Sequence, residues 1–425
     1  MADRLEVYLH DNRIATVARA PRRTREFVQL TWAEDFESSA VRLTESFAAI
    51  PGRAPAVNLV SRFLGGYAPE GNQRRAMAAE RGIHERDLFG LLSEFGGSIA
   101  GALTFRLPDE PQRYEPSYEE LSDAALRRLM KKAIEDHDQG IRDDSRSMIQ
   151  GFQPKLLVAK LGDSDWLLPR GRAHSTHILK PQLASRPHKV VDEFYSHELA
   201  RHAALAGFRS ELLTVGPTRY LAIERFDRVV AGATVHLVHQ EDAAQALGLE
   251  WTDDEAKFQD RTRQNSPERP SAYRIAEMVA GLGDDAVLHT WLRQLIFRVL
   301  VGDNDGHAKN VGILHLPGED RLTDLYDAVP NLHQEGRIDW TMAFAIGGEF
   351  DHRKVSVDRI AEEAQSWGVL GRSAIETTIA DSLARFTDAL SHVRVPRGVS
   401  PGLRDAFEWN ASRLVDGKQI SERRH

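Results

Sequence analysis

The 425-residue sequence predicts an α+β fold in two lobes, with a further α+β subdomain ahead of them. Three observations predict it. Residues 1–107 mix alternating apolar runs with short helical patterns. Residues 108–226 are richest in short β-runs. In 227–425 apolar residues recur at helical spacing, most fully at Val287, Leu288, Trp291, Leu292, Leu295, Ile296, Val299 and Leu300.

In chain order, residues 5–9 alternate as a strand does, Asp11 and Asn12 make a turn, and 14–18 read as strand again, a hairpin signal. Residues 57–64 read as a helix ended by Gly65 and Gly66, 86–95 as a helix stopped by Gly96 and Gly97, and 101–107 as a strand. Pro108 and Pro111 mark a linker. The polar stretch 113–139 holds a helical pattern with Ser117 as its N-cap. Strands follow at 155–160, 165–169 and 176–180, then a helix at 191–206 and a β-run at 219–226. Helices at 287–300, 361–365, 374–390 and 403–415 fill the last third, and the polar stretch 259–270 reads as a mobile loop. No internal repeat is visible.

Composition narrows the function. With 55 basic and 63 acidic residues the net charge is -8, which argues against gripping nucleic acid through overall charge. The absence of cysteine excludes disulfides and thiolate metal sites and fits a cytoplasmic protein. The most apolar run, 291–301, is too short to span a bilayer and holds Arg293 and Arg298, so no membrane association is expected.

The chemistry concentrates in residues 302–310, GDNDGHAKN, and in Leu325, Tyr326 and Asp327. Asp305 and Asn310 have four residues between them, and Asp327 follows after a Gly-containing excursion. Phosphoryl transfer by protein kinases needs these parts in this order: an Asp to accept the hydroxyl proton, then an Asn and a second Asp to hold magnesium. A Gly-Asp-Asn-Asp-Gly turn alone would merely satisfy backbone groups. Asn310 at this spacing, and Asp327 behind an apolar-aromatic pair, outweigh that reading. The fold expected is therefore two-lobed and protein-kinase-like, with an extra N-terminal subdomain and an all-helical C-lobe. Asp303 has the wrong spacing and ranks below Asp305 as the base.

Lys309 either contacts the transferred phosphate or is a solvated loop lysine, and the first reading makes it catalytic. His307 orients the loop beside the nucleotide. Lys180 ends an alternating strand, where a lysine facing the cleft would hold the α- and β-phosphates of ATP. Its helix partner is Glu193, with Glu198 competing. Gly151, Phe152, Gln153 and Lys155 lie in a turn that can cover phosphates with backbone N–H groups, and Glu224, Arg225 and Phe226 form the expected hinge. His197 and His202 are five residues apart, about 140° around a helix, and His236 and His239 face opposite ways on a strand, so no zinc is expected.

Together these stretches resemble the HipA family of bacterial serine/threonine kinases, toxins of type II toxin-antitoxin systems. The resemblance runs through residues 63–71, 89–103, 150–155, 175–180, 224–228, 239–248, 302–310, 325–327 and 342–348. It implies that Lys180 binds ATP, that 224–226 is the hinge, that Asp305 is the base, and that Asn310 and Asp327 hold Mg2+. It implies a HipB-like helix-turn-helix antitoxin as partner, operator DNA reached mainly through that antitoxin, and an aminoacyl-tRNA synthetase as the class of protein substrate. It also implies autophosphorylation of a loop serine that silences the kinase. In the register of the family's Ser-x-x-Gly-x-Gln-x-Lys loop, that serine falls on Met148. Either Ser147 is the acceptor in a shifted register or the switch is absent; Ser147 is the expectation. Two other readings stand beside the toxin: a catalytically weak binding protein in a repressor complex, and a kinase acting on a small molecule or lipid.

Overall fold

The computed structural model describes residues 4–36, 42–110, 112–137, 139, 144–151, 153–283, 285–334 and 339–422. Strands β1 (Arg4–Leu9) and β2 (Asn12–Arg19) form the expected hairpin. They are followed by β3 (Val28–Trp32), helices α1 (Val57–Gly65), α2 (Gly71–Glu80) and α3 (Leu88–Phe95), and β4 (Leu103–Arg106). The four strands make one antiparallel sheet in the order β3-β2-β1-β4. Period-two alternation on β1 puts Leu5, Val7 and Leu9 on the buried face, where Phe63, Leu91, Phe95 and Phe105 pack with them. Each such side chain contributes roughly 1.5–3 kcal/mol by leaving water. Met148 and Trp251, far along the chain, belong to this same cluster. Trp251 lies so close to the end of α1 that a Cβ at Gly65 would come within 2.2 Å of its ring.

The next stretch holds β5 (Ser117–Glu120), α4 (Asp123–Asp136), β6 (Leu156–Val158), β7 (Leu167–Arg170), β8 (His177–Pro181), α5 (Lys189–His202), β9 (Ser210–Val215) and β10 (Thr218–Glu224). Ser117 does not cap a helix. It opens β5, which pairs with β7, and Ser122 caps α4 by accepting from the Ala125 amide. The main sheet is antiparallel in the order β6-β8-β10-β9. Its register sets Lys180 on β8 opposite Leu221 on β10.

Beyond it come the β11 (Arg228–Ala231) and β12 (Thr234–Leu237) hairpin, β13 (His239–Asp242), α6 (Ala243–Ala246), α7 (Ala272–Ala280) and α8 (Asp285–Val301). Then follow β14 (Gly312–Leu316), β15 (Glu319–Leu322), β16 (Thr341–Ile346), β17 (Glu349–Asp351), α9 (Val357–Ser366), α10 (Arg372–His392) and α11 (Leu403–Val415). The mixed α+β class is as expected, but the C-terminal part is not all-helical. It carries the sheets β13-β14-β15 and β16-β17 beside its helices. Every residue of β13, sequence HQED, is buried, so its polarity hides a strand from any apolar pattern. The helical core is built on α8, whose Trp291, Leu292, Ile296 and Val299 are fully buried. The Trp291 indole N–H is satisfied by the Ala272 carbonyl at 3.2 Å. Residues 259–270 form turns without regular structure, and the Gln259 side chain pins them by accepting from the Ala345 amide at 2.7 Å.

Candidate active site

Helix α8 leads into the 302–310 loop. After Val301 the chain turns at Gly302, whose φ of +69° suits glycine. Arg298, buried one turn before the helix end, then fixes everything downstream. Its guanidinium pairs with the buried Asp303 carboxylate and donates to the Asn310 carbonyl at 2.6 Å and the Tyr326 carbonyl at 3.1 Å. Asp303 in turn accepts from the Asp305 amide at 3.1 Å. Asp303 is therefore a structural brace, and Asp305 is the acid left facing outwards, with 59% of its side-chain surface open. The Asn310 side-chain amide donates to the Asp305 carbonyl at 3.0 Å, so the two residues are locked in one loop.

A cleft of about 210 Å³ opens between the β-rich sheet and this loop, lined by Lys155, Lys180, Glu193, Asp305, Asn310 and Asp327 among others. Lys180 donates to Glu193 on α5 and to Asp327, both at 2.6 Å. Glu198, the competing partner, faces Arg201 instead. Burial alone would lower the Lys180 ammonium, but Asp327 and then Glu193 outweigh it and hold the group well above its ordinary value. Burial would raise Asp327, but Lys180 beside it holds this carboxyl well below the usual range. Asp327 adopts φ 51°, a left-handed backbone that a non-glycine residue rarely takes. The Asp305 carboxyl is pushed up to about 6, chiefly by the protein packed around the cleft, with the positive charge of Lys257 opposing. Its open surface and its desolvation coexist because it faces a narrow cleft rather than bulk water.

Gln150, Gly151, Gln153 and Lys155 line the same cleft. Lys155 donates to the Gln150 carbonyl at 2.9 Å, and burial, then the charge of Lys180, lowers its ammonium to about 7. Gly151 has φ +108°, and a Cβ there would lie 2.6 Å from the Lys155 Nζ. The Gln153 carbonyl accepts from Gln73 at 2.7 Å. Phe152 lies outside the described residues. Glu224, Arg225 and Phe226 line the cleft. The Arg225 side chain is committed to Asp227, Ser175 and the Ile99 carbonyl, and the Phe226 ring packs 5.3 Å from Tyr326.

Three more of the expected residues lie as follows. Lys309 lines the cleft and is not solvated: its ammonium donates to the Gly66 carbonyl at 3.0 Å and lies 4.0 Å from Glu70. His307 lines the cleft, and its backbone makes hydrogen bonds within the loop, to the Asp305 carbonyl and from the Asn310 amide, while its ring packs edge-on against Phe258. Ser147 does not line the cleft. It is 8% exposed and bridged to Ser98, with Met148 fully buried beside it.

The side chains of Asp305, Asn310 and Asp327 bring oxygen donors to one cleft, which suits a hard cation such as magnesium. Sequence reasoning missed Arg298, Glu70 and Lys257, all buried near these donors. For Arg298 the signal was available: a charge inside the apolar face of α8 demands a buried partner.

Comparison with known proteins follows the same geometry. The profile of the HipA-like C-terminal domain matches residues 147–390, more than half of the chain. The chain belongs to the HipA family. The HipA N-terminal domain matches residues 5–106 as well. HipA proteins are bacterial serine/threonine kinases, and this chain is a kinase by class. This HipA-family kinase is 29% identical to the Y4mE protein of Sinorhizobium fredii over 343 residues, covering 78% of each. It is 25% identical to the serine/threonine-protein kinase toxin HipA of Shewanella oneidensis, covering 79% of this chain and 77% of that one. A solved Shewanella oneidensis complex of HipA, HipB and operator DNA contains a chain of the same fold, with TM-score 0.79 and 21% identity over 96% of this chain and 95% of that one. No helix among the described residues is long and apolar enough to cross a membrane.

Proposed function

We propose that this HipA-family chain transfers the γ-phosphate of ATP to a serine or threonine hydroxyl of a protein, as a toxin kinase does. The observation that carries the reading is the meeting of Lys180, Asp305, Asn310 and Asp327 in one cleft. Lys180, held by Glu193, binds the α- and β-phosphates. The 151–155 turn covers them, and the 224–226 backbone takes the adenine. Magnesium, held by Asn310 and Asp327, would neutralise phosphate charge. The substrate hydroxyl attacks the γ-phosphorus in line, the bond to the ADP oxygen breaks, and Asp305 accepts the hydroxyl proton. An Asp305 carboxyl raised to about 6 is still ionised near neutral pH yet more basic than a solvated aspartate.

The substrate class is a translation component such as an aminoacyl-tRNA synthetase, and the partner is a HipB-like antitoxin through which operator DNA is reached. The Shewanella complex, in which a chain of this fold is joined to HipB and operator DNA, supports the partner. Work in the cytoplasm follows from such a substrate. Ser147 is the proposed self-phosphorylation site, and reaching it requires opening the bridge to Ser98. The test is labelled ATP and magnesium with the purified protein and a host lysate, with peptide mapping of the label. Label on a lysate protein supports the reading. Label on Ser147 adds the switch. ATP binding without transfer would favour a binding protein instead.

A further inference from the structure

The N-terminal subdomain reaches into the kinase cleft. Glu70, at the start of α2, is 5% exposed and lines the cleft. Its Oε1 accepts from Lys257 at 3.1 Å and lies 4.0 Å from the Lys309 ammonium. Four residues earlier, the Gly66 carbonyl takes the Lys309 hydrogen bond. Three residues later, Gln73 donates to the Gln153 carbonyl of the phosphate loop and accepts from Gln139 at 2.7 Å. One short stretch, 66–73, thus touches both the catalytic loop and the phosphate loop, which line one cleft. Lys257 is tied to the same catalytic loop, because its carbonyl accepts from the Ala308 amide at 3.1 Å.

A buried carboxylate needs compensating charge, and so does a buried ammonium. Here each supplies the other. Burial would raise the Glu70 carboxyl, but Lys309 and Lys257 bring it down to about 2, so it stays ionised at any working pH. Lys257 lines the same cleft as Asp305 and is the strongest positive influence on it. The proton acceptor therefore shares its cleft with a cation that pairs with a carboxylate of another subdomain.

We propose that Glu70 is a positioning residue for phosphoryl transfer: it holds Lys257 beside Asp305, where the ammonium meets the charge of the transferring phosphate. The N-terminal subdomain is then a working part of the active site, not only a docking surface. The inference rests on the kinase reading above.

The test compares the full-length wild type with Glu70→Gln, Lys257→Met, the double variant and Asp305→Ala. It measures kcat and the KM for ATP, and checks folding by thermal melting. Glu70→Gln keeps the shape and removes the charge. The expected result is a fall in kcat of about tenfold or more, with the KM for ATP within about threefold of wild type. In the Lys257→Met background, itself reduced in kcat, Glu70→Gln should cost nothing further, because its effect passes through Lys257. A wild-type kcat in Glu70→Gln, or an equal fold-loss in both backgrounds, would overturn the inference while leaving the kinase reading intact. So would a wild-type kcat in Lys257→Met, and that arm decides the matter even if Glu70→Gln fails to fold. No Asp305-dependent transfer by the wild type would overturn the kinase reading and this inference with it.

Discussion

Lys180 and Asp327, 147 residues apart in the chain, meet across the cleft at 2.6 Å. One sits on the β-sheet and the other follows the catalytic loop, so this contact joins the two walls of the site. Glu193 supports Lys180 from behind and is fully buried. Substituting Lys180→Met leaves the Glu193 carboxylate buried without its cation, and losing one partner of such a pair costs roughly 3–5 kcal/mol. Denaturant melts should show this drop, and phosphate transfer should fall by about 100-fold or more, because the cation proposed to bind the phosphates is gone.

Arg298 makes a separate prediction. It is 1% exposed and joins Asp303, Asn310 and Tyr326. Arg298→Met should cost roughly 3–5 kcal/mol in stability, since Asp303 is then an uncompensated buried acid. The double variant with Asp303→Asn should recover part of that loss while transfer stays low. Recovery is the discriminating readout: equal stability of single and double variants would mean that the pair is not the brace described here.

Gly151 tests the phosphate turn. A side chain at φ +108° is strained, and its Cβ would displace the Lys155 ammonium. Gly151→Ala should raise the KM for ATP by about tenfold with a smaller change in melting temperature. An unchanged KM would show that the turn does not cover the nucleotide.

His315 predicts a pH effect on stability away from the site. Burial alone would lower its imidazole, but hydrogen bonds to Glu241 at 2.9 Å and Asp320 at 2.7 Å outweigh this and raise it above its ordinary value. His239 stands 5.5 Å from it as a neighbouring ring. A raised folded value means that the contribution is full below about pH 6.5 and is lost as pH rises through the folded value. His315→Gln should therefore cost more stability at about pH 6 than at about pH 8.5. Equal losses at both would contradict the charged pairing.

The fold was legible where periodicity is clean. The β1–β2 hairpin, β8, β10 and α8 all fall close to their expected places. Helix α2 escaped notice because its buried face mixes Gln73 and Arg74 with Met77 and Ala78, which blurs the apolar period. Strand β13 escaped because Glu241 is buried through pairing with His315 and Thr44, which no local pattern announces. The site divides the same way. Asp305, Asn310 and Asp327 are close in sequence, so their spacing carried the chemistry. Glu193 and Glu198 both competed for Lys180 in the sequence, and the structure brings Glu193 to it. Glu70 was invisible because its partner Lys257 lies 187 residues away. Only folding brings them together.

The central claim is Asp305-dependent phosphoryl transfer, and one comparison tests it most directly. Wild type and Asp305→Asn should be matched for folding and for ATP affinity, then assayed for transfer of labelled phosphate to protein. The account predicts equal ATP binding and a loss of transfer of about 100-fold or more in the variant. Equal transfer by both proteins would contradict the assignment of Asp305 as the proton acceptor.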